Sequence, residues 1–390
     1  MDLALYHSEL GYYARAAQRS GRAGDFFTSV DVGSLFGELL EVQLEEMARF
    51  TAEAAKHAEE ALGSAASARS AVPSFDLVEA GAGNGRLSAD ILHAAKERDP
   101  AFYESIRLHL AEASAEARRA QRGTLGDVAD RVTSSGPALP DSFEGVLIAN
   151  ELLDALPVHQ VVMREDGLKE VYVSLQSQVV SPTIDDSPTT DDQRLRTDDR
   201  RLTTVEGPLS TPALSEYLDR LGVTLEPGWR VEINLRAVDW IRDAARRLRR
   251  GFIILIDYGH DARELYSPTH SAGTLTTFVK HRSGGPEGAQ DTRAWLQQPG
   301  DQDLTAHVDF TSVRAAAEGE GMTTLGFLDQ TYLLMGLLEG LPNPQSAIRN
   351  PQFKTLMLPG GIGSTHKVLI LGKAVGAPQL RGCSFRVRVT

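Results

Sequence analysis

The sequence holds one cysteine, Cys383, in 390 residues. No intrachain disulfide and no cysteine-built metal cluster is possible, which fits a reducing compartment. Long apolar runs are missing as well. The longest, residues 252–256 and 332–338, fall far short of the ~20 residues that a bilayer-spanning helix requires. The opening segment MDLALYHSEL is acidic and lacks the basic and apolar regions of a secretory signal. It also lacks the Arg- and Ser-rich composition of an organelle transit peptide, so the sequence reads as cytoplasmic. Positive charge is in deficit. Lys and Arg number 40 against 53 Asp and Glu, a formal net charge of -13. That balance argues against a nonspecific nucleic-acid binder and suits a basic protein partner. Neither a Gly-x-Ser-x-Gly elbow nor a phosphate-binding Gly-x-x-x-x-Gly-Lys-[Ser/Thr] loop is present, and no internal repeat is evident.

What is there centres on residues 75–92, FDLVEAGAGNGRLSADIL. An apolar run carrying Asp76 and Glu79 leads straight into Gly81, Gly83 and Gly85. Leu87, Ile91 and Leu92 then recur at helical spacing. Strand, glycine turn and helix together place helix-start N–H groups beside a nucleotide-like ligand. The spacing is Gly-x-Gly-x-Gly, and Arg86 stands where a dinucleotide fingerprint has its third glycine. A strand ending in Glu79 before that spacing is the form used with S-adenosylmethionine (SAM). SAM has no pyrophosphate and presents a sulfonium and an amino-acid end, so a nearby carboxylate is favourable. The expected contacts are Glu79, Gly81, Ala82, Gly83, Asn84 and Gly85; a glycine turn without a ligand is the plain alternative. Residues 107–113, RLHLAEA, predict a second strand ending at Glu112, 27 residues past Gly85. An acid there suits the ribose hydroxyls of SAM or NAD, or is simply a solvated strand end.

The rest of the chain alternates strands and helices, the rhythm of a parallel sheet covered on both faces. The expected organisation is an N-terminal helical cover over 1–72, the first part of a Rossmann-like core over 73–157, an insertion over 158–230, the second part of the core over 231–375, and a tail over 376–390. Within the insertion, Glu165-Asp166-Gly167 between two apolar runs predicts a hairpin. Residues 176–206 are polar, with almost no aromatics, and predict a flexible loop.

Residues 149–157, ANELLDALP, follow an apolar strand directly. Open parallel sheets bind ligands beyond the carboxyl ends of their strands, so Asn150, Glu151 and Asp154 are expected to face the cofactor cleft. Paired carboxylates suit a cationic guanidinium; the alternative is a helix start favoured by its dipole. Residues 24–29, GDFFTS, offer Asp25, Phe26 and Thr28 for the adenine or sulfonium. Asp257 ends another buried strand at the same sheet edge. In DLTAHVDF, Asp309 reads as an N-cap and His307 as a residue that could reach the cleft. With no second His or Cys nearby in sequence, no metal site is expected.

The set YHSELGYY, GDFFTS, LFGELLE, VEAGAGNGRL, ANELLDALPV, IDYG, DLTAHVDF and STHKVLILGK resembles the MidA-like family of SAM-dependent methyltransferases. The motifs occur in family order over nearly the whole chain. The resemblance implies a class I methyltransferase fold, a mostly parallel sheet with an N-terminal helical cover and an inserted hairpin region. It implies SAM at Gly81, Gly83, Gly85 and Glu112, and a substrate side at Asn150, Glu151 and Asp154; His307, from its place in DLTAHVDF alone, is a further catalytic candidate. The family includes a mitochondrial complex I assembly factor. The implied reaction is therefore methylation of protein arginine, with a respiratory complex I subunit among the implied partners and a mitochondrial location if the source is eukaryotic. A small-molecule methyltransferase and a SAM-binding scaffold without turnover are the alternatives. The chain departs from its relatives in starting almost at YHSELGYY, in the 176–206 stretch and in the tail.

Overall fold

The computed structural model describes residues 1–14, 28–61, 74–177, 200–279, 282–285, 293–357, 363 and 365–385. Helices α1 (Asp2–Tyr6), α2 (Ser29–Val32) and α3 (Leu35–Ala61) open the chain. In α3 the stripe Leu35, Phe36, Leu39, Leu40, Leu44 and Met47 is buried throughout, as its helical spacing requires. Strand β1 (Phe75–Ala80) follows, then α4 (Arg86–Arg98), α5 (Pro100–Ser105), β2 (Ile106–Ala111), α6 (Ala115–Leu125), β3 (Val132–Gly136) and β4 (Phe143–Asn150). The insertion contributes β5 (His159–Arg164), β6 (Gly167–Ser177), β7 (Arg200–Gly207), α7 (Ala213–Leu221) and β8 (Arg230–Ile233). The core resumes with α8 (Leu235–Arg247), β9 (Leu248–His260) and α9 (Ala262–Leu265). Short strands β10 (Thr276–Val279), β11 (Arg282–Gly284), β12 (Asp303–Thr305) and β13 (Val308–Asp309) lead to α10 (Phe310–Gly319), β14 (Thr323–Asp329), α11 (Gln330–Leu338), α12 (Pro344–Arg349), α13 (Pro351–Met357) and β15 (His366–Lys373).

The central sheet runs β14-β15-β9-β4-β1-β2-β3. Strands β3, β2, β1, β4 and β9 are parallel, and β15 returns antiparallel between β9 and β14. This is the class I methyltransferase architecture. Alternate residues of the buried strands serve opposite cores. Leu77, Val146, Ile254, Val368 and Ile370 pack against α3, α4 and α11; Val78, Leu147, Ile253, Leu255, Leu369 and Leu371 pack against α7, α8 and α10. Strands buried on both faces read as continuous Val/Ile/Leu runs, which is why they are visible in the sequence. Local caps set several helix starts: Asp99, Ser114, Asn234 and Asp309 each accept from backbone N–H groups of the following turn.

One expectation needs correction, and two features were not foreseen. The polar loop over 176–206 is partly strand: β7 pairs antiparallel with β6 along its whole length, Gly207 opposite Glu170 to Arg200 opposite Ser177. Residues 178–199 lie outside the described residues. Alternating Leu202 and Thr204 facing Leu175 and Val173 make that ladder, a signal masked by the charged arginines around it. Helices α12 and α13 lie in a stretch to which the sequence reading assigns no element; Asn343-Pro344 and Asn350-Pro351 place proline at the first helical position. Within the tail, a 3-10 turn at Arg381–Cys383 packs beside α3, its Arg381 and Gly382 N–H groups donating to Glu46 and Gln43, and Cys383 is buried.

Candidate active site

The carboxyl ends of β1, β2 and β4 surround a cleft of about 460 Å³. It lies where the strand order reverses between β1 and β4, the position at which open α/β sheets bind their ligands. Thr28, Glu79, Gly81, Ala82, Gly83, Asn84, Glu112, Asn150 and Glu151, expected from the sequence, all line it.

The glycine turn forms one wall. Gly81, Gly83 and Gly85 have φ of 70°, 50° and 84°, values that L side chains rarely adopt. Gly83 is the most open position, since a Cβ there would meet nothing within 4 Å. Its N–H donates to Glu112 Oε2 at 2.8 Å, and Ser114 N–H donates to Glu112 Oε1 at 2.6 Å. The strand-end acid expected to hold a ribose is thus locked to the turn. Gly85 is the N-cap of α4, one step behind the cleft. Glu79 is buried at the end of β1 and accepts a very short hydrogen bond from the Ser88 hydroxyl. Burial, reinforced by the charges of Glu112 and Asp90 and opposed by Ser88, pushes its carboxyl up to about 7.

The second wall is the end of β4. Asn150 Oδ1 is buried there with no hydrogen-bond partner among the described residues. Glu151 has a φ of 50°, one of three non-glycine residues with positive φ among those described. Its N–H donates to Ile256 O at 2.8 Å, and its Oε1 lies 3.3 Å from Nε2 of the buried His366. The next turn is pinned by Asp257. Asp257 Oδ2 accepts from the N–H groups of Leu152 at 3.1 Å and Leu153 at 2.7 Å. Burial raises the Asp257 carboxyl, Glu151's charge adds to that, and the Leu153 N–H opposes it. Asp154 departs from expectation. It is buried beneath the turn, off the cleft wall, and burial followed by the charges of Asp257 and Glu151 holds its carboxyl well above the usual range. Of the two acids in this motif, Glu151 alone lines the cleft where both were expected.

The N-terminal segment closes the cleft. Tyr6 and Tyr13 line it with ring centroids 5.5 Å apart; Tyr6 Oη donates to Ala155 O and Tyr13 Oη to Asp303 Oδ1. In the sequence these tyrosines are visible only as part of the YHSELGYY motif. Thr28 N–H and hydroxyl both donate to Asp31 Oδ2, and Asp31 Oδ1 meets Arg86 Nη1 at 3.3 Å, joining the cover to the glycine turn. Asp25 and Phe26 lie outside the described residues. Trp240, Asp243 and Arg247 of α8 also reach the cleft; Trp240 is visible in the sequence only as part of an amphipathic face. His307 does not reach it. The fold instead groups His307 with His260 and His270, so the expectation that no second histidine lies near it fails. The three are 47 positions apart from first to last in sequence; the β9–β13 pairing brings the His260 and His307 segments together, and His270 joins them from the 3-10 turn at Pro268–His270.

The donor set fits SAM. An open turn at Gly83 admits close backbone approach, Glu112 offers carboxylate acceptors, Glu79 adds an acid to the cleft lining, and Asn150 Oδ1 is a buried acceptor without a partner among the described residues.

Comparisons with known proteins agree with that chemistry. The sequence model of a family described as "Putative S-adenosyl-L-methionine-dependent methyltransferase" matches residues 57–328. The chain is 30% identical over 361 residues to the Mus musculus protein named "Protein arginine methyltransferase NDUFAF7, mitochondrial", covering 86% of this chain and 69% of the mouse protein. A Drosophila melanogaster homolog of that protein is 27% identical over 415 residues, 97% of this chain and 82% of the fly protein. Among solved structures, a candidate methyl transferase from Burkholderia thailandensis bound to S-adenosyl-homocysteine superposes with a TM-score of 0.77 at 25% identity, over 98% of this chain and 89% of the other.

Proposed function

The chain belongs to the S-adenosyl-L-methionine-dependent methyltransferase family of MidA type, and on that premise we propose that it methylates arginine side chains of a protein substrate. SAM is the cofactor. We assign its binding to Gly81, Ala82, Gly83, Asn84, Glu112 and Asn150, with Glu79 at the cationic end and Thr28 at the rim. Bound there, SAM supplies a methyl group whose bond to a positively charged sulfur breaks as a new bond to the acceptor nitrogen forms.

The chain's own part is positioning. Glu151 is the observation that carries the reading: a carboxylate at the cleft wall, in a strained backbone conformation and backed by a buried histidine. Strain of this kind persists where surrounding structure over-determines it, and it clusters at sites of action. A carboxylate so fixed accepts two parallel N–H bonds from a guanidinium and aims its remaining nitrogen at the methyl donor. It also stabilises the cation and takes up the proton that the acceptor nitrogen releases as its bond to the methyl group forms. The negative net charge favours encounter with a basic protein segment.

The names of the relatives support the arginine assignment and a mitochondrial setting; a bacterial chain would act in the cytoplasm. By the same resemblance, a respiratory complex I subunit is the first substrate to try. Among the described residues no helix is long and apolar enough to cross a membrane. The test is transfer from methyl-labelled SAM to a cell extract, followed by amino-acid analysis of the labelled band. Labelled methylarginine is the expected result. A labelled metabolite, or SAM binding with no label in any fraction, overturns the proposal.

A further inference from the structure

His260, at the end of β9, His270, closing a 3-10 turn at Pro268–His270, and His307, between β12 and β13, converge outside the cleft. Each offers one ring nitrogen, and the three nitrogens lie within 4.8 Å of one another. The ring centroids are 4.8, 5.2 and 5.8 Å apart. Among the described residues this is the one group of three or more His, Cys, Asp or Glu side chains with such an arrangement. We propose that His260, His270 and His307 form a three-histidine site for a divalent transition-metal ion of the zinc class.

Several observations support that choice over a plain aromatic cluster. His307 Nδ1 is buried and has no hydrogen-bond partner among the described residues, a state that costs free energy unless something else occupies the lone pair. Packing imidazoles on one another supplies no such partner. Metal-bound histidines usually hand their other ring nitrogen to a carboxylate or carbonyl, and Glu264 offers both. His270 Nδ1 bonds to Glu264 O at 3.0 Å, and His260 Nδ1 lies 3.0 Å from Glu264 Oε1, at hydrogen-bond length though not aligned for one. That leaves the Nε2 atoms of both rings for an ion. His307 is fixed from behind. Its backbone N–H donates to Thr274 Oγ1, and Thr274 is held in turn by the buried carboxylate of Glu232. Burial and the two neighbouring imidazoles push His307 down to about 4, so the ring is a neutral ligand near pH 7.

The ligand chemistry sets the ion. Three imidazole nitrogens suit Zn²⁺ and its transition-metal neighbours and not Mg²⁺ or Ca²⁺, which take oxygen ligands. Three protein nitrogens leave a fourth position open. Bonds of about 2.0–2.1 Å require the rings to draw together slightly from their present spacing. Binding would tie the end of β9 to the 303–309 segment, whose Ala306 N–H donates to Asp154 O beneath the active-site turn.

The test uses the full chain without an affinity tag, stripped of metal by a chelator and then titrated with Zn²⁺ at pH 7. The expected result is one ion per chain, a raised melting temperature, and visible absorption of a low-symmetry site when Co²⁺ replaces Zn²⁺. His270 is half-buried, so His270→Ala should fold normally and retain SAM binding while Zn²⁺ affinity falls at least ~10–100-fold. His307→Gln should lose the site, and if that variant misfolds His270→Ala still decides. The proposal is overturned by no Zn²⁺ uptake in the parent chain, or by the same uptake in parent and His270→Ala.

Discussion

Glu151 Oε1 lies 3.3 Å from His366 Nε2, and His366, the first residue of β15, is completely buried opposite Tyr258 of β9. The pair joins the cleft wall to the strand that returns antiparallel into the sheet. A Glu forced to φ 50° costs on the order of 1–3 kcal/mol. The Ile256 carbonyl and the His366 contact hold it there, so a stability cost has been accepted at one side chain that reaches the cleft.

Glu151→Gln keeps the shape and removes the charge. If Glu151 orients a cationic acceptor, transfer to a verified substrate should fall by ~100-fold or more, since each ~1.4 kcal/mol of barrier is tenfold. SAM affinity and melting temperature should change little. Turnover, calorimetric affinity and unfolding are to be measured on one preparation. Full turnover with lowered stability would reduce Glu151 to a support of the β4 end.

Gly83→Val tests the glycine turn. The added side chain meets no protein atom at its Cβ, so the fold should survive with a loss of about 1–2 kcal/mol for a β-branched residue at φ 50°. The valine would instead fill the space left for the cofactor, and SAM binding should drop below detection by calorimetry. A folded variant that binds SAM normally would remove Gly83 from the site.

Much of this site was legible because it lies on local patterns. Glu79, the three glycines, Glu112, Asn150 and Glu151 sit at the ends of apolar runs whose burial on both faces leaves little choice of secondary structure. Long-range placement was not legible. Asp154 and Glu151 are three residues apart in one motif, yet only the path of the backbone after φ 50° decides that one lines the cleft and the other is buried. The grouping of His260, His270 and His307 depends on the two-residue pairing of β13 with β9, too short to leave any periodicity in sequence. Strand β7 was hidden by charged residues on an antiparallel edge, where one face can remain in water.

Asp257 is expected to act through the turn and not on substrate. Its Oδ2 satisfies the Leu152 and Leu153 N–H groups, and its Oδ1 accepts from its own Tyr258 neighbour. Asp257→Ala leaves those buried donors bare and should cost about 1–3 kcal/mol in chemical denaturation. Asp257→Asn preserves one acceptor oxygen and should cost less. Equal losses for the two variants would show that the turn does not depend on these bonds.

Glu79 makes the stability of the protein pH-dependent in a direction that can be stated. Its carboxyl titrates near 7 when folded, against an ordinary value of 4.5, chiefly because it is buried. Between those values the folded chain retains a proton that the unfolded chain has released. Stability from this group is therefore fully present below about 4.5 and is lost as pH rises through 7. Glu79→Gln keeps an acceptor for the Ser88 hydroxyl and cannot ionise. Thermal unfolding should show parent and variant nearly equal at acid pH and the variant more stable, by on the order of 3 kcal/mol, at alkaline pH. SAM binding should respond in the opposite sense. A net cationic ligand favours the ionised carboxylate, so parent affinity should tighten between pH 6 and pH 8, by up to ~tenfold per unit on the acid side of the titration. The variant should bind more weakly at alkaline pH and show a flat profile. Parallel pH profiles for the two proteins, in stability and in affinity alike, would mean that Glu79 neither titrates near neutrality nor meets the cationic end of the cofactor.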